Sequence, residues 1–515
     1  MIKTMVRIKW WTPANVLVFL MMIFFHTASG QSVEPLPLLP LSKSEMYADF
    51  DTLTKTIREI SPQIEVRKKI TGVDIVRKLE EYRRKIDRLN TIEEFAILIR
   101  AALTLCQDGH TSLIRKDYYP ADSIYLQLGI SQTAINLQAK YDSLFDKIVK
   151  AKKFNLRLRY IDGNYYNLYP FYHHGLLLKQ GYKLVSCNGV EINEFVQNLC
   201  SSKRMLRWDF RKSQWFSEDF FNSYDLKASD SLKLEFLDLT DKPISGRFCL
   251  KDSLQLQNDF QKSLQNVSLI KKVEYFEQEK ILYIRMPEME EGEFYSEKIL
   301  QLAKDREIFK IVIDIRDNPG GSDFAWMKVL SAIISDPIRQ ENLILCNNSP
   351  LMKCKFPEAS KRWTIYQSPV FPESNYAVYA AGQSTIKPDI NSLKFSGAIY
   401  VIQNENIYSS AGSLSAIGAL ADNITTVGSP TGRLLGKGIS PLIFELPHSK
   451  IMYRIEPVID FMNVKRPEDV FHDTVEMPVE LSIAQYVQRL QEKGDVYSKD
   501  YLLNHDPVFK TILLK

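Results

Sequence analysis

Lys310-Ile-Val-Ile-Asp-Ile-Arg-Asp-Asn-Pro-Gly-Gly321 decides the reading of this 515-residue chain. Its apolar run, Ile311, Val312, Ile313 and Ile315, predicts a buried strand. The run stops at Asp317-Asn-Pro-Gly-Gly321, a strong turn signal. Consecutive glycines leave backbone N–H groups unshielded, so they can face a cavity and hold an anion. A strand end that presents free amides suits an oxyanion hole. Further along, a second strand over Ile399 to Gln403 runs through Asn404-Glu-Asn-Ile-Tyr408 into Ser409-Ser-Ala-Gly-Ser413 and a helical pattern. A serine between strand and helix stands where a nucleophile belongs, beside a helix N-terminus that favours negative charge.

Together the two segments resemble the C-terminal-processing (tail-specific) serine peptidases, the family that includes tricorn protease. Asp314-Ile-Arg-Asp-Asn-Pro-Gly-Gly321 is a near-complete copy of that family's Asp-Leu-Arg-x-Asn-Pro-Gly-Gly signature. Ile407-Tyr-Ser-Ser-Ala-Gly412 resembles its nucleophile segment, Thr-(aromatic or Ala)-Ser-(Ser or Ala)-Ala-Glu, with Ile407 in place of Thr and Gly412 in place of Glu. The resemblance implies Ser409 as nucleophile, with Ser410 as the alternative register. It implies an oxyanion hole formed by the amide of Ser410 and one from Gly320 or Gly321. Without it, Ser409 would read as an N-cap of the following helix. Asp314 and Arg316 read as structural support at the strand end.

The family offers two general bases. Its tricorn-like branch uses a histidine, and Leu105-Cys-Gln-Asp-Gly-His-Thr-Ser-Leu113 closely resembles the Asp-Gly-His-Thr segment of that branch, which makes His110 the preferred base. A neutral imidazole suits this work near neutral pH. The other branch uses a lysine in a Gly-Lys-Gly context, present here as Gly436-Lys437-Gly438. The stretch before it, Val427 to Leu435, is longer than that branch's pattern, and a lysine base must be neutral and therefore desolvated. A late carboxylate orients the histidine in tricorn-like sites. Glu445, Glu456 and Glu468 all suit it by position, and the role stays open among them.

Composition narrows the class. At 45% hydrophobic and 25% charged the chain reads as globular, with room for roughly two to four domains. A net charge of +4 and the lack of a Lys/Arg run with interleaved aromatics exclude a nucleic-acid reading. Lys3, Arg7 and Lys9, the apolar run Val16 to Phe25 and Ala28-Ser-Gly30 predict a secretory signal; an uncleaved anchor is the alternative. Six cysteines permit disulfides after export, with Cys346 and Cys354 as a candidate pair and Cys106 as a buried thiol. No Cys/His spacing suggests zinc. Asn266-Val-Ser and Asn423-Ile-Thr are glycosylation sequons.

The expected architecture is α/β and multidomain, with an N-terminal helical bundle, a β-rich PDZ-like module and a layered α/β (crotonase-like) protease core. Its parts are a signal peptide over 1–30, a proline-rich linker over 31–43, a helical domain over 44–118, a PDZ-like module over 119–265, a peptidase core over 270–495 and a C-terminal tail over 496–515. Phe50, Leu53, Ile57 and Ile60 share one helix face, Ile75, Leu79, Tyr82 and Ile86 another, and Thr91-Ile-Glu-Glu94 opens a third helix with a capping box. Residues from about 120 to 260 read as strands and turns. Gly181 to Val190 resembles the Gly-Asp-x-Ile-x-x-Ile-Asn-Gly run of PDZ domains, with Tyr182 replacing Asp. Strand and helix alternate from residue 270, and the proline-containing stretch 345–395 reads as insertions or a lid. The expectation is an exported serine endopeptidase, periplasmic or extracellular, that acts on protein or peptide substrates without metal or organic cofactor. It would touch a membrane only through an uncleaved signal segment. The alternatives are a non-catalytic peptide- or ligand-binding protein on the same fold, and a Ser409–Lys437 dyad.

Overall fold

The signature strand, Lys310–Asp314, lies inside a six-stranded sheet of the computed structural model. The described residues are 38, 40–151, 156–173, 176–200, 206–218, 231–249, 255–256, 270–418, 421–492 and 494–515. The expected signal segment, most of the proline-rich linker and the Asn266 sequon lie outside them. The sheet runs in the order Lys272–Phe276, Ile281–Arg285, Lys310–Asp314, Ala398–Gln403, Ile424–Gly428, Met477–Pro478. Its first pair is antiparallel and every other pair parallel. Alternate side chains of each strand leave by opposite faces, so a strand covered on both sides is apolar throughout. Ile311 and Ile313 join one core with Trp326, Val329 and Leu414, beneath helices Gly292–Ala303, Asp323–Ile333 and Ser410–Gly418. Val312 and Ile402 join a second core with Val508, Phe509 and Ile512.

That second core corrects the expectation of a C-terminal tail. Lys499–Asn504 and Pro507–Leu513 are helices that cover the sheet's other face, so the core has three layers. Asp506 caps the second of them through Val508 N and Phe509 N. Its other oxygen receives Arg316 Nη1 at 2.5 Å and Arg489 Nη1 at 3.2 Å. Arg316 also donates to Asp314, whose carboxyl accepts from the Tyr283 hydroxyl as well. Burial opposes ionisation of Asp314, yet the Arg316 guanidinium overrides it and holds the carboxyl down at about 2. Asp314 and Arg316 thus lie in a structural ion network beneath the sheet.

The N-terminal helices run over Lys43–Ile60, Gln63–Thr71, Ile75–Arg83 and Ile92–Thr104, with complete capping boxes at Ser42 and Thr91. Their apolar faces share a core with Ile344, Cys346, Tyr453 and Val458 of the later chain. Two further helices, Asp122–Gln127 and Gln132–Ala151, stand where strands and turns were expected. Ile135, Gln138 and Tyr141 are buried at helical spacing, a period that polar neighbours at Gln132, Thr133 and Asn136 obscure in the sequence. The β-rich part forms a sheet ordered Pro243–Cys249, Ser231–Leu237, Lys183–Cys187, Asn164–Asn167, Leu158–Ile161. Asp162-Gly163 and Asn188-Gly189 turn with positive φ at both residues (48° and 83°, 53° and 79°), the backbone of a tight hairpin.

The stretch 345–395 is less irregular than its prolines suggest. Ile338–Asn347 pairs antiparallel with Tyr376–Ile386 over ten residue pairs, and two short helices lie between them. Cys346 is buried within that pairing and Cys354 is exposed on the following helix; both are free thiols, so the candidate pair is not formed. Among the described residues, no helix is long and apolar enough to cross a membrane.

Candidate active site

Ser409 sits between strand Ala398–Gln403 and helix Ser410–Gly418, with φ +54°. A non-glycine residue held there stores on the order of 1–3 kcal/mol of strain, a cost that surrounding contacts must sustain. Its N–H donates to Leu435 O at 2.7 Å, and its C=O accepts from Ser413 N at 3.1 Å, so loop and helix fix it from both sides. Ile407, where the family has Thr, is fully buried in the core beneath the helices. Gly412, where the family has Glu, lies under Leu435: a Cβ there would be 3.0 Å from Leu435 Cβ and 3.1 Å from its carbonyl oxygen. Close packing of the Leu435 loop accounts for Gly412, and burial in the apolar core accounts for Ile407.

The Asn-Pro-Gly-Gly turn meets this serine directly. Tyr408 N donates to Asn318 O at 3.0 Å. A Cβ on Gly320 (φ +106°) would lie 2.6 Å from Ser409 Cβ and 3.1 Å from Ser410 N. Gly320 N is engaged by Asn318 Oδ1 at 2.8 Å. Gly321 bridges Met289 in parallel fashion, with Met289 N donating to Gly320 O and Ser322 N to Met289 O. In such a bridge the flanked residue turns its own N–H away from the partner strand. The Gly321 amide therefore faces away from Met289, and the close approach of Met289 O, 2.5 Å from a Cβ built there, requires glycine.

His110 reaches the same place from the N-terminal region. Its ring stands edge-on to Tyr408, with centroids 4.9 Å apart, and Gly109 N donates to the Tyr408 hydroxyl at 2.9 Å. Its Nδ1 makes a short contact with Glu456 Oε2. Glu456 is 3% exposed, accepts from Val458 N at 3.3 Å and donates its own N–H to Thr111 Oγ1 at 3.0 Å. Asp108 Oδ1 accepts from His110 N at 3.0 Å and Thr111 N at 2.5 Å, which fixes the turn carrying the imidazole. Burial drives His110 down to about 4 and pushes Glu456 well above the usual carboxylate range.

Of the three carboxylates left open by the sequence, the structure brings Glu456 to His110. Glu445 instead pairs with Lys450 and Ser131 N. The sequence does hold a signal for Glu456: an acidic residue in the stretch Ile451 to Val458, which is otherwise apolar apart from Arg454. Lys437 stands behind Tyr408, its Nζ 2.5 Å from Asp460 Oδ2, both side chains about nine-tenths buried. A lysine base must be free to take a proton, and this nitrogen is committed to a carboxylate. Among the described residues, no cluster of His, Cys, Asp and Glu is placed to hold a metal ion.

Residues 280–460 match the family model for peptidase family S41. Curated protein sequences contain no match to the chain. Among solved structures, a mutant of CPAF is 11% identical with a TM-score of 0.50, covering 87% of this chain and 96% of that one, a likeness of fold. The photosystem II D1 C-terminal processing protease is 13% identical, TM-score 0.35, covering 88% and 98%. A peptidase from Parabacteroides merdae is 11% identical, TM-score 0.39, covering 88% and 99%. The family match spans the strand, turn and serine that meet in this site, so it is the segment 280–460 that is similar to the peptidases of family S41.

Proposed function

We propose that the chain is an exported serine endopeptidase with Ser409 as nucleophile, His110 as general base and Glu456 as its orienting carboxylate. One observation carries the reading: a serine held at φ +54° abuts the Gly320 turn while the residue before it packs on a histidine backed by a buried carboxylate. Ser409 Oγ bonds to the substrate carbonyl carbon as His110 takes the hydroxyl proton. The amides of Gly321 and Ser410 receive the oxyanion; Gly320 leaves the pair, since its N–H is spent on Asn318. The C–N bond then breaks and His110 returns the proton to the leaving amine. Water, deprotonated by His110, repeats the sequence on the ester and frees the acid and Ser409.

The cationic and apolar N-terminal run supports export, and mass measurement of the mature N-terminus tests it. The β-rich segment with its Asn-Gly hairpin supports a PDZ-like role in peptide capture. The alternative of a non-catalytic binding protein draws on Ile407 and Gly412, whose packing accounts for both. Hydrolysis of casein or a quenched peptide by residues 31–515 tests the reading, with Ser409→Ala, His110→Ala and Lys437→Ala in parallel. Loss of turnover in the first two and its survival in the third is expected; full activity in His110→Ala overturns the base assignment.

A further inference from the structure

Asp108 has one satisfied oxygen and one that is not. Oδ1 takes the amides of His110 and Thr111, while Oδ2 is buried without a hydrogen-bond partner among the described residues. A bare carboxylate oxygen out of water is costly unless it carries a proton or meets a water molecule. Asp108 lines a partly open cavity of about 20 Å³ together with Glu456, Tyr408 and Gln63, and Gln63 Oε1 is likewise buried without a partner among the described residues. Roughly 10–15 Å³ of such space holds one water, provided polar groups surround it. Asp108 and Glu456 thus share one water-sized space, whose third carboxyl, Asp460, is paired with Lys437.

The charged and titratable groups around Asp108 do not remove this competition. Its own turn contributes His110 and Cys106, the thiol pushed up to about 12 by burial and so neutral. The helix over Gln63–Thr71 contributes Arg67, directed to Leu105 O. The strand over Met452–Ile455 contributes Arg454, which donates to Gly109 O and Ser112 Oγ, and Glu456 follows it. The nucleophile loop contributes Tyr408, with Arg433 over its ring. Across the cavity, Lys437 is paired with Asp460, and His472 lies beside that same carboxylate.

We propose that Asp108 is a positioning residue that shares one proton with Glu456 across this cavity, so the turn carrying His110 also governs the charge behind it. In the transfer the O–H bond at Asp108 Oδ2 breaks as one forms at the bridging water, whose own proton passes to Glu456 Oε1. The pair keeps a net charge of −1 throughout. Burial raises both carboxyls, Asp108 to about 6, which agrees with one retained proton near neutrality. The proposal rests on His110 as base.

The test compares kcat/KM against pH, and the infrared C=O stretch of protonated carboxylic acids, in the parent and Asp108→Asn. Asparagine keeps the Oδ1 acceptor for both amides and removes one of the two carboxyls that share the proton. The pair's single negative charge then sits wholly on Glu456 against the His110 ring, so the acid limb is expected to move up, with loss of the carboxylic-acid band seen in the parent. A lowered kcat with an unshifted limb, or a retained band, overturns the proposal in favour of a purely structural turn. If Asp108→Asn does not fold, the infrared measurement on Glu456→Gln decides, since removing either member should release the shared proton and abolish the band. Undiminished turnover in His110→Ala would instead overturn the base assignment, leaving the infrared result to judge the carboxyl pair.

Discussion

Adding one methyl group at Gly320 should stop this enzyme without unfolding it. A Cβ at that position would lie 2.6 Å from Ser409 Cβ, 2.8 Å from Tyr408 O and 3.1 Å from Ser410 N. None of these is the far end of a flexible side chain, so the strand end and the nucleophile loop must part. The φ of +106° adds strain of about 1–2 kcal/mol for any L-residue. Displacing Ser409 relative to the amides it works with costs up to about 100-fold for a 1 Å shift, and loss of one oxyanion donor costs on the order of 10²–10³ in kcat. Gly320→Ala is therefore expected to lower kcat on a quenched peptide by about 100-fold or more. Gly382→Ala is the control: its φ of +126° brings similar strain, but nothing lies within 4 Å of the added Cβ. It should lose similar stability in a thermal melt and keep kcat within about threefold, well inside the reach of strain alone. A Gly320→Ala protein as active as Gly382→Ala would refute the claim that the turn abuts the nucleophile.

Glu456→Gln keeps the shape behind His110 but removes its charge, and by analogy with other serine peptidase triads kcat should fall by on the order of 10³–10⁴ with KM nearly unchanged. Lys437→Met should retain turnover while lowering the melting temperature, because it strands Asp460 at 7% exposure; turnover lost with the fold intact would revive the lysine dyad. Burial holds His110 near 4, below its ordinary 6.5, so the neutral base persists to lower pH and the acid limb of kcat/KM should lie well under pH 6.5; a midpoint at or above that value contradicts the burial argument. Asp506→Ala leaves the Arg316 guanidinium short of a buried partner and should cost about 3–5 kcal/mol, read as a lower melting temperature or a failure to accumulate soluble protein.

The parts of the fold that the sequence disclosed are those in which a local pattern coincides with burial. Ile311, Val312, Ile313 and Ile315 are apolar without alternation because the strand is covered on both faces, and Thr91 with Glu94 forms the box that its spacing announces. Lost to local reading were the elements whose periods are diluted. The helix over Gln132–Ala151 buries Gln138 at 2% exposure, using its amide to hold Ile114 O, so a polar letter occupies an inward position. The C-terminal helices are short, and their importance lies in Phe509 and Ile512 meeting strands hundreds of residues earlier. In the site, Ser409 and His110 could be named because each stands in a distinctive short segment. Glu456 could only be narrowed to a set, because its partner is 346 residues away and nothing local encodes that contact.

Gly436-Lys437-Gly438 shows how a short segment can carry a second meaning. Read alone, the two glycines suggest a loop built to present a lysine base. In the fold each glycine answers to a neighbour instead. A Cβ on Gly436 would lie 2.5 Å from the Tyr408 ring, and a Cβ on Gly109 would lie 2.6 Å from the same ring. Tyr408 is thus held between two glycines from opposite ends of the chain, with its N–H on the Asn318 carbonyl and its hydroxyl on the Gly109 amide. Gly438 gives way to Val458, two residues beyond Glu456. The glycines let three segments close around the residue before the nucleophile, and the lysine between them is taken up by Asp460. Tyr408 therefore joins the histidine turn, the Asn-Pro-Gly-Gly turn and the Leu435 loop, and the nucleophile's position depends on all three closing together.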